Sequence, residues 1–247
     1  MVCTGLCTVI LWCRWCFSES HVIRTWPRPS PYEPVWQAMR DFTETRTPET
    51  ADEIWLVEHE PVYTLGQAGK LEHLLNPGNI PVVKTDRGGQ VTYHGPGQVM
   101  AYILADLRRS GHFIKAMVHQ IEEATIETLK IYGISEACRK DGAPGVYVPV
   151  LSTGRSMPNA LGTSSGVSEL AKIAALGIKV RNGCTYHGMA LNVDMDLTPF
   201  DGINPCGYAG LQTVCMAQFG VKASWDDVAQ TLAGQISRYC GLSRANE

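Results

Sequence analysis

Between Phe113 and Tyr132, positions Ile114, Met117, Val118, Ile121, Thr125 and Leu129 recur at steps of three and four residues, and Gly133 follows. That spacing places them on one face of an amphipathic helix, which must bury its stripe against other elements. Short β-rich runs bounded by Pro, Gly and Asn precede it: Ile54–His59, Val62–Leu65, Pro81–Thr85 and Val99–Leu104. Further strand-like runs follow at Gly145–Val148, Lys172–Val180 and Met189–Val193. A shorter helix is expected over Trp36–Thr43, with Thr45–Thr50 as the loop after it. Ser224-Trp-Asp-Asp227 opens a last helix as a cap, carrying Val228, Leu232, Ile236 and Tyr239 on one face and ending at Gly241. One long helix set among short strands gives an α/β class in one domain, with no internal repeat.

The 247 residues suffice for one substantial core. A formal net charge of −3 gives no basic excess for a phosphate-binding surface, which argues against nucleic acid as a partner. Nine cysteines lack the regular spacing of a secreted disulfide scaffold, so a reducing cytoplasmic location is expected. The apolar run Cys7–Cys13 ends at Arg14 and is far shorter than the roughly 20 residues that span a bilayer, so no membrane association is expected. Residues Met1–Ser20 read as an atypical, poorly ordered extension before a catalytic domain over 21–247. Its Cys3, Cys7, Cys13 and Cys16 could supply four thiolates to zinc, but the pairs lie too close together for the usual ribbon spacing.

Two segments carry chemistry. Arg87-Gly-Gly-Gln-Val-Thr-Tyr-His-Gly-Pro-Gly-Gln98 reads as shaped backbone rather than core, with Arg87 and His94 as polar handles; a pair of tight turns is the plain alternative. It is not a P-loop, because no Gly-Lys-Ser/Thr follows. Ile203-Asn-Pro-Cys-Gly-Tyr208 sets Cys206 between a proline and a glycine in a turn, where a thiol is accessible. A nucleophilic cysteine needs an activating partner, since only the thiolate attacks. Lys172, His187 and His94 are the candidates, and sequence order does not choose among them. Lys172 heads an apolar strand where burial is plausible, although a strand-edge lysine fits the spacing equally.

Pro31–Pro34, Asp52–His59, Gly66–Gly69, Asp86–Gln98, Ala143–Tyr147, Tyr186–Val193, Asp196–Phe200 and Ile203–Gly210 resemble the successive signatures of the octanoyltransferase family. The resemblance covers about Pro31 to Val214. It implies a mixed β-sheet flanked by helices, similar to the catalytic domains of biotin and lipoate-protein ligases. It implies transfer of an octanoyl group from octanoyl-acyl carrier protein to a lysine of lipoyl domains, those of 2-oxoacid dehydrogenase E2 subunits and the glycine cleavage H protein. In that family the cysteine matching Cys206 becomes an acyl thioester, and the lysine matching Lys172 lowers its pKa. The substrate-binding segments carry over to Arg87, Gly88, Gly89, Gln90, Val91, Thr92, Tyr93 and His94, to Ala175, Leu176 and Gly177, and to Gly188, Met189 and Ala190, with His187 beside them. Leu176 and Met189 become the expected walls of an acyl tunnel. No metal, nucleotide or other cofactor is implied.

One departure is the stretch Pro149–Ala171, longer than the short turn usual in the family and read as an insertion that could cap the tunnel. Its Ser/Gly/Pro-rich part, Leu151–Gly166, is expected to be a surface loop. The rival readings are an ATP-dependent lipoate or biotin ligase, a non-catalytic carrier-protein binding module, and a zinc protein built on the first four cysteines.

Overall fold

The computed structural model describes residues 21–111, 113–151 and 168–242. The extension at 1–20, with its proposed zinc thiolates, and residues 152–167 of the expected loop lie outside them. In chain order the elements are β1 (His21–Thr25), α1 (Tyr32–Thr45), β2 (Asp52–Val57), β3 (Val62–Leu65), β4 (Val82–Lys84), β5 (Val91–His94), β6 (Gln98–Leu104), α2 (Leu107–Ser110), α3 (Ile114–Ile131), β7 (Gly145–Leu151), β8 (Ser168–Arg181), β9 (Cys184–Asn192) and α4 (Trp225–Cys240). Strands β1-β2-β6-β9-β8-β7 form a mixed six-stranded sheet, parallel only between β1 and β2, and β4-β3-β5 form a second, three-stranded sheet. The α/β expectation of helices around a mixed sheet holds, with this small second sheet in addition.

Period-two alternation assigns the two faces of the large sheet. Ile54, Leu56, Val99, Ala101 and Ile103 pack on one side with Met117, Ile121 and Leu129 of α3 and Val228, Leu232 and Ile236 of α4. Their neighbours Trp55, Val57, Met100, Tyr102 and Leu104 point the other way, onto Val35 and Met39 of α1. The back face is thus a helix-covered core. The front face is covered by α1 at one end and by the small sheet, whose own cluster is Tyr63, Leu65, Val91, Tyr93, Phe200 and Ile203.

Several boundaries differ from the sequence reading for identifiable reasons. Helix α1 starts four residues earlier than Trp36, because Pro34 sits in its first turn, where a missing N–H breaks no helical bond. The segment Arg87–Gln98, expected to be non-core backbone, contains β5, and Val91, Tyr93 and His94 are buried. The expected insertion is partly ladder: Pro149, Val150 and Leu151 pair with Leu170, Glu169 and Ser168. Pro149 is tolerated there because β7 is the edge of the sheet. Helix α4 matches its reading, with the Ser224 hydroxyl accepting from the Asp227 N–H at 3.1 Å and Gly241 left-handed at φ 56°.

The ladder between β7 and β8 contains one irregularity that matters for function. Val146 faces Ala174, but Tyr147 faces Lys172, so Ile173 is an extra residue on β8. Ala171, Ile173 and Ala174 all join the back core, and the displaced alternation turns Lys172 onto the front.

Ile121 is fully buried where α3 meets the sheet. Ile121→Ala is expected to lower unfolding free energy by about 2–5 kcal/mol in urea denaturation, without changing which face Lys172 occupies.

Candidate active site

A narrow cavity of about 40 Å³ lies between the front of the large sheet and β5. Its sheet wall is built from small residues. Ala175, Gly177, Gly188 and Ala190 border it, and Gly177 pairs with Gly188 as Ala175 pairs with Ala190. Met100 and Tyr102 of β6 continue the same two rows, facing Ala190 and Gly188. Leu176 borders the cavity as expected for a tunnel wall. Met189 does not: it is buried in the back core, with its sulfur 2.8 Å from the Thr125 hydroxyl, because it alternates with Gly188 and Ala190 along β9. Tyr93 is likewise absent from the cavity wall, its ring packed against Tyr63 and Phe200 in the small sheet, whereas Thr92 and His94 border the cavity.

The glycine-rich loop forms the opposite wall through Arg87, Gly89 and Gln90, while Gly88 lies on its outer side, donating its N–H to Ile178 O at 3.2 Å. Arg87 is buried and turned inward. Its guanidinium donates to Thr64 O, Gly88 O and Gln90 O at 2.5, 2.9 and 2.7 Å, so it ties the loop to β3. The turn Gly66–Gly69 packs so closely here that a Cβ on Gly66 would lie 2.3 Å from Gly89 O.

The front-facing Lys172 is 4% exposed, and its ammonium donates to Pro144 O at 3.0 Å and lies 5.2 Å from the Tyr147 ring centre. Below the bulge, β8 leaves β9 and pairs instead with the segment after the cysteine turn: Lys172 N–H donates to Gln212 O at 2.8 Å, and Val214 N–H donates to Lys172 O at 3.0 Å. Cys206 lies in a one-turn 3-10 segment, Pro205–Gly207, closed by Gly207 at φ 77°. Pro205, Lys172, Thr92 and Ala175 border one small void, so the cysteine turn and the lysine meet at one end of the cavity. Asn192 fixes this junction by donating to Val214 O at 2.9 Å and accepting from Gln98 Nε2 at 2.9 Å.

The other end of the cavity is polar, and most of it is not apparent in the sequence. Asp86 accepts from Trp36 Nε1, Tyr186 OH and His187 Nε2 at 2.9, 2.5 and 2.8 Å. Burial pushes its carboxyl up, but the hydrogen bonds from His187 and Tyr186 outweigh that and hold it well below the usual carboxylate range. His187 occupies φ 61°, an uncommon conformation for a residue with a side chain. Burial lowers its pKa against the opposing pull of Asp86. His94 is bonded to Thr64 Oγ1 and Gln98 Oε1, and burial keeps it well below the ordinary histidine value. His59, bonded to Ser30 O and Tyr102 OH, is pushed down to about 4 by burial. His59 follows β2, while His94 and His187 lie on β5 and β9 of different sheets, so the three meet only where the small sheet packs on the large one; the one local signal was Asp86, directly before Arg87-Gly-Gly.

The model of the lipoyl protein ligase A/B catalytic domain matches residues 31–237. Fold and cavity thus define a catalytic domain of the lipoyl-ligase class. Solved structures agree on the fold: the bipartite lipoate protein ligase of Thermoplasma acidophilum superposes with a TM-score of 0.65 at 15% identity, covering 93% of this chain and 86% of that one. A lipoate-protein ligase A bound with ATP gives a TM-score of 0.64 at 16% identity, covering 93% and 89%. Much nearer in sequence are the octanoyltransferases of Bordetella petrii, 61% identical over 87% of this chain and 94% of the relative, and of Bordetella parapertussis, 58% identical over 89% and 93%. The chain belongs to the octanoyltransferase family, and it is an acyltransferase. Among the described residues no helix is long and apolar enough to cross a membrane.

A histidine held neutral by burial stabilises the fold fully above its unfolded pKa and loses that contribution as pH falls toward the folded value. For His59 the window runs from 6.5 down to about 4. Thermal unfolding scanned across that window is expected to show falling stability in the parent chain and a shallower slope in His59→Gln.

Proposed function

We propose that this chain transfers an octanoyl group from octanoyl-acyl carrier protein to the lysine of a lipoyl domain through a thioester on Cys206. The observation that carries the reading is the bulge at Ile173, which brings the Lys172 ammonium to the void that Pro205 of the cysteine turn also borders. A cation beside a thiol favours the thiolate, the only form that attacks.

In the first half-reaction the Cys206 thiolate attacks the donor's thioester carbonyl, the carbon–sulfur bond to the carrier breaks as the enzyme thioester forms, and the departing carrier thiolate takes a proton from the Lys172 ammonium. The acyl tail then lies along the cavity, against the Gly and Ala rows of β8 and β9. In the second, the lysine amine of the acceptor attacks the enzyme thioester. Its proton passes to Lys172, left neutral by the first half-reaction, so the ammonium is restored as the Cys206 thiolate leaves and the amide forms. A thioester is already activated, so no nucleotide is consumed. The donor as an acyl carrier protein, the E2 and H-protein acceptors and a cytoplasmic setting belong to this reading, which rests on the resemblance together with the names of the relatives. An ATP-dependent ligase of the same fold would have no use for the thiol.

Incubation with octanoyl-acyl carrier protein and no ATP is expected to add one octanoyl mass on Cys206, and a lipoyl domain is expected to remove it. Cys206→Ser is expected to abolish both, whereas Cys138→Ser and Cys215→Ser keep them. A strict ATP requirement, or an adduct on another residue, would overturn the reading. Lys172→Ala is expected to raise the pH midpoint for iodoacetamide alkylation of Cys206, followed by peptide mass spectrometry. A rise in His94→Ala or His187→Ala with no shift in Lys172→Ala would transfer the activating role to that histidine.

A further inference from the structure

If the acyl group is attached at Cys206, as the proposed function holds, its far end must meet the polar end of the cavity. The near end is marked by Thr92 and Ala175, which border both the cavity and the void at Lys172. Two residues further along, Gly177, Gly188 and Tyr102 form the next row across the sheet, and His187 follows Gly188. On β5 the same step leads from Thr92 to His94. Counting the bulge as no advance, Lys172 to Gly177 is four strand steps, about 13 Å at 3.3 Å each. An extended octanoyl chain is roughly 9 Å long from carbonyl to methyl carbon. The chain terminus therefore arrives at Tyr102 and His187.

These groups form a wall that cannot retreat easily. Tyr102 OH is held by His59 Nε2 at 2.6 Å, and His59 is anchored at Ser30 O at 3.0 Å. Tyr32 stacks parallel to His94 with ring centres 6.0 Å apart. His187 is held through Nε2 by Asp86 at 2.8 Å. A carboxylate only accepts, so Nε2 carries the hydrogen, and the buried, neutral ring presents Nδ1 as a lone pair. That Nδ1 is buried and has no hydrogen-bond partner among the described residues. An apolar tunnel end would have no need of three histidines and two tyrosines, and a buried acceptor without a donor is costly.

We infer that this wall is the specificity determinant of the acyl site: it stops alkyl chains at about eight carbons and accepts a hydrogen-bond donor at the chain terminus. Longer alkyl chains must displace groups that are hydrogen-bonded in place. A terminal hydroxyl of the right reach instead satisfies His187 Nδ1. The substrate class extends to medium-chain acyl groups with a terminal hydroxyl.

The test needs only the parent protein and matched donors. 8-Hydroxyoctanoyl and nonanoyl chains have the same number of heavy atoms, so they differ at the wall and not in length. Acyl-enzyme formation on Cys206 is followed by intact mass with octanoyl-, nonanoyl-, decanoyl- and 8-hydroxyoctanoyl-carrier protein. The hydroxylated chain is expected to load about tenfold faster than nonanoyl, the ratio given by one hydrogen bond of about 1.4 kcal/mol. Equal rates, or faster loading of nonanoyl, would overturn the inference. In His187→Gly, which suits φ 61° and opens the wall, nonanoyl and decanoyl are expected to gain on octanoyl and the hydroxyl preference to vanish. His187→Asn, which tolerates that backbone and keeps a polar side chain, is expected to retain the octanoyl preference. Should His187→Gly fail to fold, the comparison of donors on the parent protein decides alone. Failure of every donor to load Cys206 would refute the thioester reading itself, a result distinct from loading without discrimination.

Discussion

The site depends on a single extra residue in one strand. With regular alternation along β8, Lys172 would share a face with Ala174 and enter the core beneath α3 and α4. An ammonium there would lie among the apolar residues of the back core, and burying a charge in such surroundings is among the most expensive things a fold can do. The bulge at Ile173 lets two successive apolar residues, Ile173 and Ala174, serve the back core while Lys172 turns to the front. It also ends the pairing of β8 with β9, freeing the Lys172 backbone to bond with Gln212 and Val214. The same irregularity thus aims the side chain and ties down the segment that follows the cysteine turn. Bulges beside active sites commonly re-aim one side chain in this way.

Around that junction the front of the sheet is polar in a manner that stability alone does not favour. Asp86, His187, His94, His59 and Tyr102 are joined to neighbours by hydrogen bonds, and the ionised Asp86 takes three of them. A satisfied network of this kind fixes geometry, whereas a partly satisfied one is costly. The His187 Nδ1, without a hydrogen-bond partner among the described residues, and the left-handed backbone of His187 are two costs at one residue that borders the cavity. Local strain concentrated at one cavity residue is most simply explained by what that residue does there.

Much of the fold could be read from pattern. The three-and-four spacing of α3 and the Ser224 cap of α4 are local signals, and both helices stand where those signals put them. The resemblance pointed to Cys206 and Lys172, yet spacing alone did not exclude an ordinary strand-edge lysine. What decides between them is the bulge, and a bulge depends on which residue of β7 each residue of β8 faces, a relation between segments far apart in sequence. Met189 and Tyr93 illustrate the same limit at the scale of one residue. Both lie inside segments that border the cavity, and strand alternation turns each to the other side. Arg87 reads from the sequence as a polar handle, and in the fold its guanidinium, which borders the cavity, also ties the loop down through the Thr64, Gly88 and Gln90 carbonyls. The histidine cluster was invisible because His59, His94 and His187 come from three regions of the chain that meet only where the two sheets pack together.

The cavity itself is a consequence of side-chain size in two adjacent strands. Ala175, Gly177, Gly188 and Ala190 face the front where other strands present Trp55, Met100 and Tyr102. A face with so little side chain would normally collapse onto the layer above it, since interiors pack without voids. Here collapse is opposed from both ends. The Gly88 N–H is bonded to Ile178 O, and a Cβ on Gly177 would already lie 2.6 Å from Gly88 O, so the loop rests on β8 with no further approach available. Arg87, bonded to β3 and to its own loop, holds the other side of the span. The slot between them is therefore kept open by the loop's backbone contacts and by one hydrogen-bonded arginine, an arrangement that suits the flexible alkyl chain of the proposed reaction.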